Sequence, residues 1–405
     1  MRPQSTAIIP PLDRCARCLP LLSRLPLHVA TTTLLDRRTH STQIRWSEVC
    51  PWLILVRALR VSLMVRVLLL AFVGTLLTEW GWSTIDHFSA EPASLIRLTD
   101  GGSVATLLID AQQRQHLDPS FAAQLDSPFP KGWLWVSAPL IRLVDRNLSA
   151  LGSLTLLLSG LWAIIVWSFF GSAITRIAAL QLTRGEPVGP LKMLRDTATV
   201  MPSTIGAPLM VLLVGVTMGV PLTLLGLLLQ SHFVALIAGP LWVIVLAWGF
   251  LLAVVLLGLL FGWPLMWACL GVEQSDAFDG ASRCYAYVYQ KPLQLAFYLV
   301  VAALLSWLGA MIVMTFAAAT STLSEWGLSW GTGSLRAADL FDTHFYNSPT
   351  PPTARMIQGW KACFASLTAA FPMACLWPMS VGIYLLLRQH VDATELDEVA
   401  LSRQC

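Results

Sequence analysis

Six long apolar runs dominate the pattern of hydrophobic and polar positions, at about residues 61–82, 149–172, 203–229, 233–260, 293–318 and 362–387. Each reads as a membrane-spanning helix, because a hydrocarbon layer of about 30 Å takes about 20 apolar residues at the helical rise. From Thr197 to Val272 the chain contains no Asp, Glu, Lys or Arg, and that stretch holds two spans joined by the polar turn Gln230-Ser231-His232-Phe233. The middle of the run from Phe233 to Val272, "WGFLLAV", has no polar turn, so one tilted helix is expected there rather than two. Six spans place both ends of the chain on one side.

The segments between the runs carry a different pattern. "IRWSEVCPWLILVRALRVSLMVR" sets Arg57, Arg60 and Arg66 among Trp52, Leu53, Leu55, Val56 and Leu59, the arrangement of a helix lying in the membrane interface. Residues 83–147 form a long outer loop, within which Trp133, Trp135, Leu140, Ile141 and Val144 suit a helix resting on the outer leaflet. Residues 173–202 continue the second span to about Thr183, turn between Gly185 and Gly189, and resume as a helix. Their Arg176, Arg184, Lys192 and Arg195 are candidate contacts for anionic lipid headgroups, with a groove for a partner protein as the alternative.

The polar stretch "VEQSDAFDGASRCYAYVYQKPLQ", residues 272–294, is expected to form an amphipathic cytosolic helix between the fourth and fifth spans. Asp276 is expected to cap it with Asp279 three residues on, a carboxylate variant of the capping box, and Asp279 and Arg283 stand four residues apart for an exposed ion pair. Phe278, Tyr285 and Tyr289 fall on one face, the candidate docking face for a partner or the leaflet. Residues 1–43 mix prolines and arginines without a period and read as disordered or as a mis-assigned extension, 44–400 as the membrane domain, and 401–405 as a tail.

Composition supports this picture. Of 405 residues 56% are hydrophobic and 12% charged, and the mean hydropathy is +0.66, too apolar for a soluble globule of this size. The net charge of +3 is not gathered into a basic stripe, which leaves nucleic acid binding without support. Lys and Arg near the span ends favour the side that holds the N-terminal flank, the 173–202 and 273–292 segments and the tail, twelve against seven. The positive-inside rule therefore predicts cytosolic N- and C-termini in the cell (inner) membrane. Eight scattered cysteines make no disulfide framework, and Cys15 and Cys18 lack the second ligand pair a zinc site needs. Trp80, Trp82, Trp162, Trp263, Trp267, Trp326, Trp330 and Trp360 fall near predicted span ends, where an aromatic belt is expected.

Chemistry is harder to find. The sequence has no H-E-x-x-H, G-x-S-x-G, P-loop or dinucleotide-binding glycine motif, and its seven histidines are dispersed. No catalytic residue, cofactor or metal site is expected. Spans two to six carry no charged residue, and Glu79, beside Trp80 and Trp82, reads as an interfacial residue of the first. Gly215-x-x-x-Gly219 and Gly258-x-x-x-Gly262 are spacings for close helix approach.

The blocks "IRWSEVCPWLILVRALR", "FGSAITRIAALQLTRGE", "SDAFDGASRCYAYVYQKPL" and "YLLLRQHVDATELDEV", in this order, resemble a group of uncharacterised bacterial polytopic membrane proteins over residues 44–400. The resemblance implies an all-α, six-span bundle and no site. Two function classes follow. One is a non-enzymatic scaffold or membrane-complex subunit with a membrane or cytosolic protein partner. The other is a permease, the membrane subunit of a transporter energised by a separate ATPase.

Overall fold

The computed structural model describes residues 50–95, 97–99, 127–144, 148–185, 190–341 and 352–392. Twelve helices and no strand occur among them: α1 Leu53–Ser62, α2 Val65–Phe88, α3 Pro128–Arg142, α4 Ala150–Thr183, α5 Pro190–Leu228, α6 His232–Ala238, α7 Trp242–Glu273, α8 Ala277–Gln290, α9 Pro292–Thr332, α10 Ser334–Phe341, α11 Pro352–Ala369 and α12 Phe371–Val391. The expected extension at 1–43, its Cys15 and Cys18, and the tail at 401–405 lie outside the described residues.

Six helical segments are long and apolar enough to cross a membrane: α2, α4, residues 195–228 of α5, α7, α9, and α11 together with α12. The chain is a multi-pass, all-α membrane protein. Several helices outrun the bilayer, since the 41 residues of α9 correspond to about 60 Å at the helical rise. The run after Phe233 divides into the short α6, a turn at residues 239–241 and the single long α7, so the fourth span begins later than its apolar run does. Pro221, Pro264 and Pro378 sit inside α5, α7 and α12 without ending them.

The last helix is the middle of the molecule. Every residue of α12 from Phe371 to Arg388 is buried, enclosed by α1, α2, α3, α4, α7 and α9. Small residues admit it. A Cβ on Gly171 of α4 would lie 3.0 Å from the Trp377 ring, and one on Gly132 of α3 would lie 2.8 Å from the Pro372 carbonyl oxygen. Trp82, Trp135, Trp167, Trp377, Trp267 and Trp263 form a continuous chain of ring contacts through this core, Trp267 stacked on Trp377 at 4.9 Å. Three of the indoles find acceptors: Trp82 donates to the Ser159 carbonyl (2.9 Å), Trp263 to Ser137 Oγ (3.0 Å) and Trp267 to the Thr204 carbonyl (2.7 Å), whereas the buried Nε1 groups of Trp167 and Trp377 have none among the described residues.

Two expectations change here. Trp82, Trp263 and Trp267 belong to this core and not to an aromatic belt, whereas Trp80, Trp326, Trp330 and Trp360 are exposed. The segment expected to rest on the outer leaflet is instead α3, inserted between spans, with Trp135 fully buried. Its 15 residues cover only about 22 Å, too short to cross. It is held by Trp133 donating to the Leu260 carbonyl (2.9 Å) and by its Phe129 amide donating to Ser306 Oγ (3.1 Å). Similarly, α1 buries Leu55, Ala58 and Leu59 against protein and turns Arg57 and Arg60 outward.

Candidate functional site: a buried carboxylate hub

The end of the bundle where α7 stops and α12 finishes gathers charge. Helix α7 ends at Glu273 because Gln274 takes the left-handed conformation (φ 51°) and its amide closes on the Leu270 carbonyl, a helix stop more often made by glycine. The chain then reverses into α8, which packs back along α7: Gly280 lies against Leu270, and Val288 against Gly262. That hairpin delivers Arg283 to Glu273, while α12 delivers Tyr384 and Arg388.

Glu273 is the centre of the cluster. One oxygen accepts from Tyr384 Oη (2.6 Å) and lies 3.2 Å from Arg388 Nε, and the other accepts from Arg283 Nη1 (2.6 Å). The Glu273 and Arg388 side chains are only 12% and 11% exposed. A carboxylate at a helix C-terminus opposes the helix dipole, and here two guanidinium groups and a hydroxyl surround it. Arg283 also donates from Nε to Asp279 Oδ1 (2.8 Å). That bond, joined by the neighbouring Glu273, holds its guanidinium above the ordinary arginine value.

Around this pair the polar groups continue. Tyr287 donates to Asp392 and its ring lies 5.7 Å from that of Tyr384. Burial pushes the Tyr287 hydroxyl above its ordinary value, and the hydrogen bond to Asp392 adds to that. Cys284 is fully buried beside Cys269, and burial raises its thiol well above the usual range, so it stays protonated and unreactive. Arg176 of α4 donates to the Gly271 carbonyl (3.2 Å), capping the last turn of α7, with Asp196 Oδ2 at 4.0 Å from its Nε. Among the described residues no three His, Cys, Asp or Glu converge in a metal-binding arrangement.

The candidate headgroup contacts separate accordingly. Arg176 points into the protein, Arg184 and Arg195 are exposed, and the side chain of Lys192, on α5, lies outside the described residues. The candidate docking face also divides. Phe278 is exposed, whereas Tyr285 and the still exposed Tyr289 bond to α7, donating to the carbonyls of Val255 (2.6 Å) and Val254. Both tyrosine rings cover Gly258, so the Gly258–Gly262 spacing serves the α7–α8 contact. Asp276 is the N-cap residue of α8 without a side-chain capping bond, and the Asp279–Arg283 pair forms as expected. Glu79, read as interfacial, is buried and accepts from the amide (3.1 Å) and hydroxyl (2.7 Å) of Thr99.

The hub itself was not foreseen. Glu273 falls within the polar 272–294 stretch and Arg388 among the tail charges, and nothing local marks them as buried: Glu273 is the last residue of α7 and Arg388 lies three residues before the end of α12.

Among the described residues, small cavities lie within the bundle and a wider groove on its side. The cavity between α3, α4, α5 and α7 beside Trp263 is about 30 Å³ and the one beside Arg176 about 10 Å³, room for a water or two. A space of about 780 Å³ forms a lateral groove at the opposite end, between the second half of α9 and α11, walled by residues such as Met314, Leu328, Ile357 and Phe364. There Lys361 Nζ meets Glu325 Oε1 at 2.6 Å across the groove.

No protein-family model, curated protein or solved structure matches the chain, so the resemblance to bacterial polytopic proteins rests on the four sequence blocks alone.

Proposed function

We propose that the protein is a non-catalytic scaffold or complex subunit of the bacterial cell membrane, with both termini in the cytosol and the hub end facing a partner protein there. The observation that supports this reading is the closed interior. Tryptophans from α2, α3, α4, α7 and α12 fill the middle of the bundle, and the cavities beside them hold no more than a water or two. A solute path through the bundle would require those stacked rings to part. The charge asymmetry supports the orientation, since the alternating spans gather the basic segments at the hub end. That end also leaves Phe278, Arg184 and Arg195 exposed for contact.

The test is crosslinking of the tagged full chain in native membranes, followed by affinity purification. A specific partner, crosslinked near residues 184–195 or 278–283 and lost with Phe278→Ser, is the expected result, together with a cytosolic signal from a reporter fused after Cys405. Recovery of a stoichiometric ATPase, with altered solute uptake in a deletion strain, would overturn the scaffold reading in favour of the permease.

A further inference from the structure

The groove between α9 and α11 has features that plain lipid-facing surface lacks. Its walls include Ala317 and Ala318 on one helix and Ala362 and Ala365 on the other. Small residues facing one another are what allow membrane helices to close together, yet these two stay apart around 780 Å³, a volume in the range of ligand sites. The hydroxyls on the walls do not make it polar. Thr320, Ser324 and Thr368 each donate to a carbonyl of their own helix and turn the rest of the side chain to the groove.

Its depth is marked by side chains. Exposed Trp326 and Trp330 stand near the C-terminal end of α9, and exposed Trp360 stands midway along α11 beside Lys361; exposed tryptophan favours the level of the headgroups. At the same level Glu325 and Lys361 face each other from opposite walls, 35% and 42% exposed. From there the groove runs along α9 toward Met314 and along α11 toward Thr368, into the apolar part of the spans.

We propose that this groove holds one glycerophospholipid with a zwitterionic headgroup, its acyl chains along the alanine-lined walls, its phosphate at Lys361 and its ammonium at Glu325. An anionic headgroup would set a bare phosphate against Glu325, and a cationic amphiphile would oppose Lys361. Only a headgroup with both charges matches both walls. The site is distinct from the hub and does not depend on the scaffold reading.

The test uses the full chain, stripped of lipid in mild detergent and examined by native mass spectrometry with added phosphatidylethanolamine or phosphatidylglycerol. Wild type is expected to retain one phosphatidylethanolamine and little phosphatidylglycerol. Lys361→Ala, a substitution at a half-exposed pair, should weaken retention by about fivefold, the upper size of one solvent-screened ionic contact. Ala318→Leu with Ala365→Leu, which fills the groove, should abolish it. Equal retention of both lipids, unchanged retention in either variant, or a wild-type dimer that the filled variant cannot form would overturn the assignment, the last in favour of a second copy of the chain.

Discussion

Helix α7 contains two regions of similar composition and opposite fate. From Gly258 to Val272 nearly every residue is buried, with Met266, Ala268, Cys269 and Val272 fully enclosed, whereas Val243, Ile244, Leu246 and Phe250 near its start are more than half exposed. Hydrophobicity does not distinguish these halves, because lipid is as apolar as a protein core and gives leucine no reason to leave it. What distinguishes them is the company of small residues and polar partners. The buried half carries Gly271 against Thr175, Trp267 bonded to the Thr204 carbonyl, and, at its end, Glu273 bonded to Tyr384 and Arg283 and ion-paired with Arg388. In this protein packing is specified by glycines and polar contacts, and exposed apolar surface is its ordinary boundary with the bilayer.

The contrast breaks most severely at Glu273. Glu273→Ala removes the carboxylate that Arg388, Arg283 and Tyr384 share, in a nearly closed site. Breaking a buried pair from one side costs about 3–5 kcal/mol, and denaturant titration of unfolding in micelles should show a loss of that order. Val243→Ala at the exposed start of α7 serves as the control and should leave the transition unmoved within about 0.5 kcal/mol. Equal effects from the two would mean that the hub carries no special share of stability.

A matched pair of glycines sharpens the same contrast at a smaller scale. Gly171→Ala places a Cβ 3.0 Å from the Trp377 ring, which is stacked on Trp267 and has nowhere to move. Overpacking of this kind costs about 1–3 kcal/mol. Gly219→Ala, in α5, meets nothing within 4 Å and should be neutral or gain up to about 1 kcal/mol through helix propensity. The two substitutions are chemically identical, so opposite signs in the same unfolding assay would isolate the packing.

The spans were legible in the sequence because length and hydropathy suffice to recognise a helix that must satisfy its own backbone in lipid. The inserted α3 was not. An interfacial helix and a short helix wedged between spans show the same periodicity, and the difference lies in partners such as Leu260 and Ser306, which come more than 100 residues later. The tryptophans misled for a related reason: a ring near a span end can face headgroups, as Trp330 does, or turn inward, as Trp267 does, and position along the chain does not say which. The hub depends on Glu273 and Arg388, separated by 114 intervening residues and joined only when α12 takes the centre. The Asp279–Arg283 pair was readable because both partners lie on one helix.

The smallest expected effects test the face of α8 first grouped as Phe278, Tyr285 and Tyr289. Tyr285→Phe and Tyr289→Phe each delete a hydroxyl that donates to a carbonyl of α7, and such bonds in membrane proteins contribute about 0.6 kcal/mol on average. Tyr285, the more buried of the two, should show the clearer loss. Phe278→Ser touches none of these contacts, since Phe278 is 71% exposed, and should leave unfolding unchanged. Capture of a hub-end partner reverses the order. If Phe278→Ser abolishes capture while Tyr285→Phe leaves it intact, docking uses the exposed ring and the tyrosines serve the hairpin. If Tyr285→Phe abolishes capture at undiminished stability, all three act as one binding face, and the division drawn from the hydrogen bonds fails.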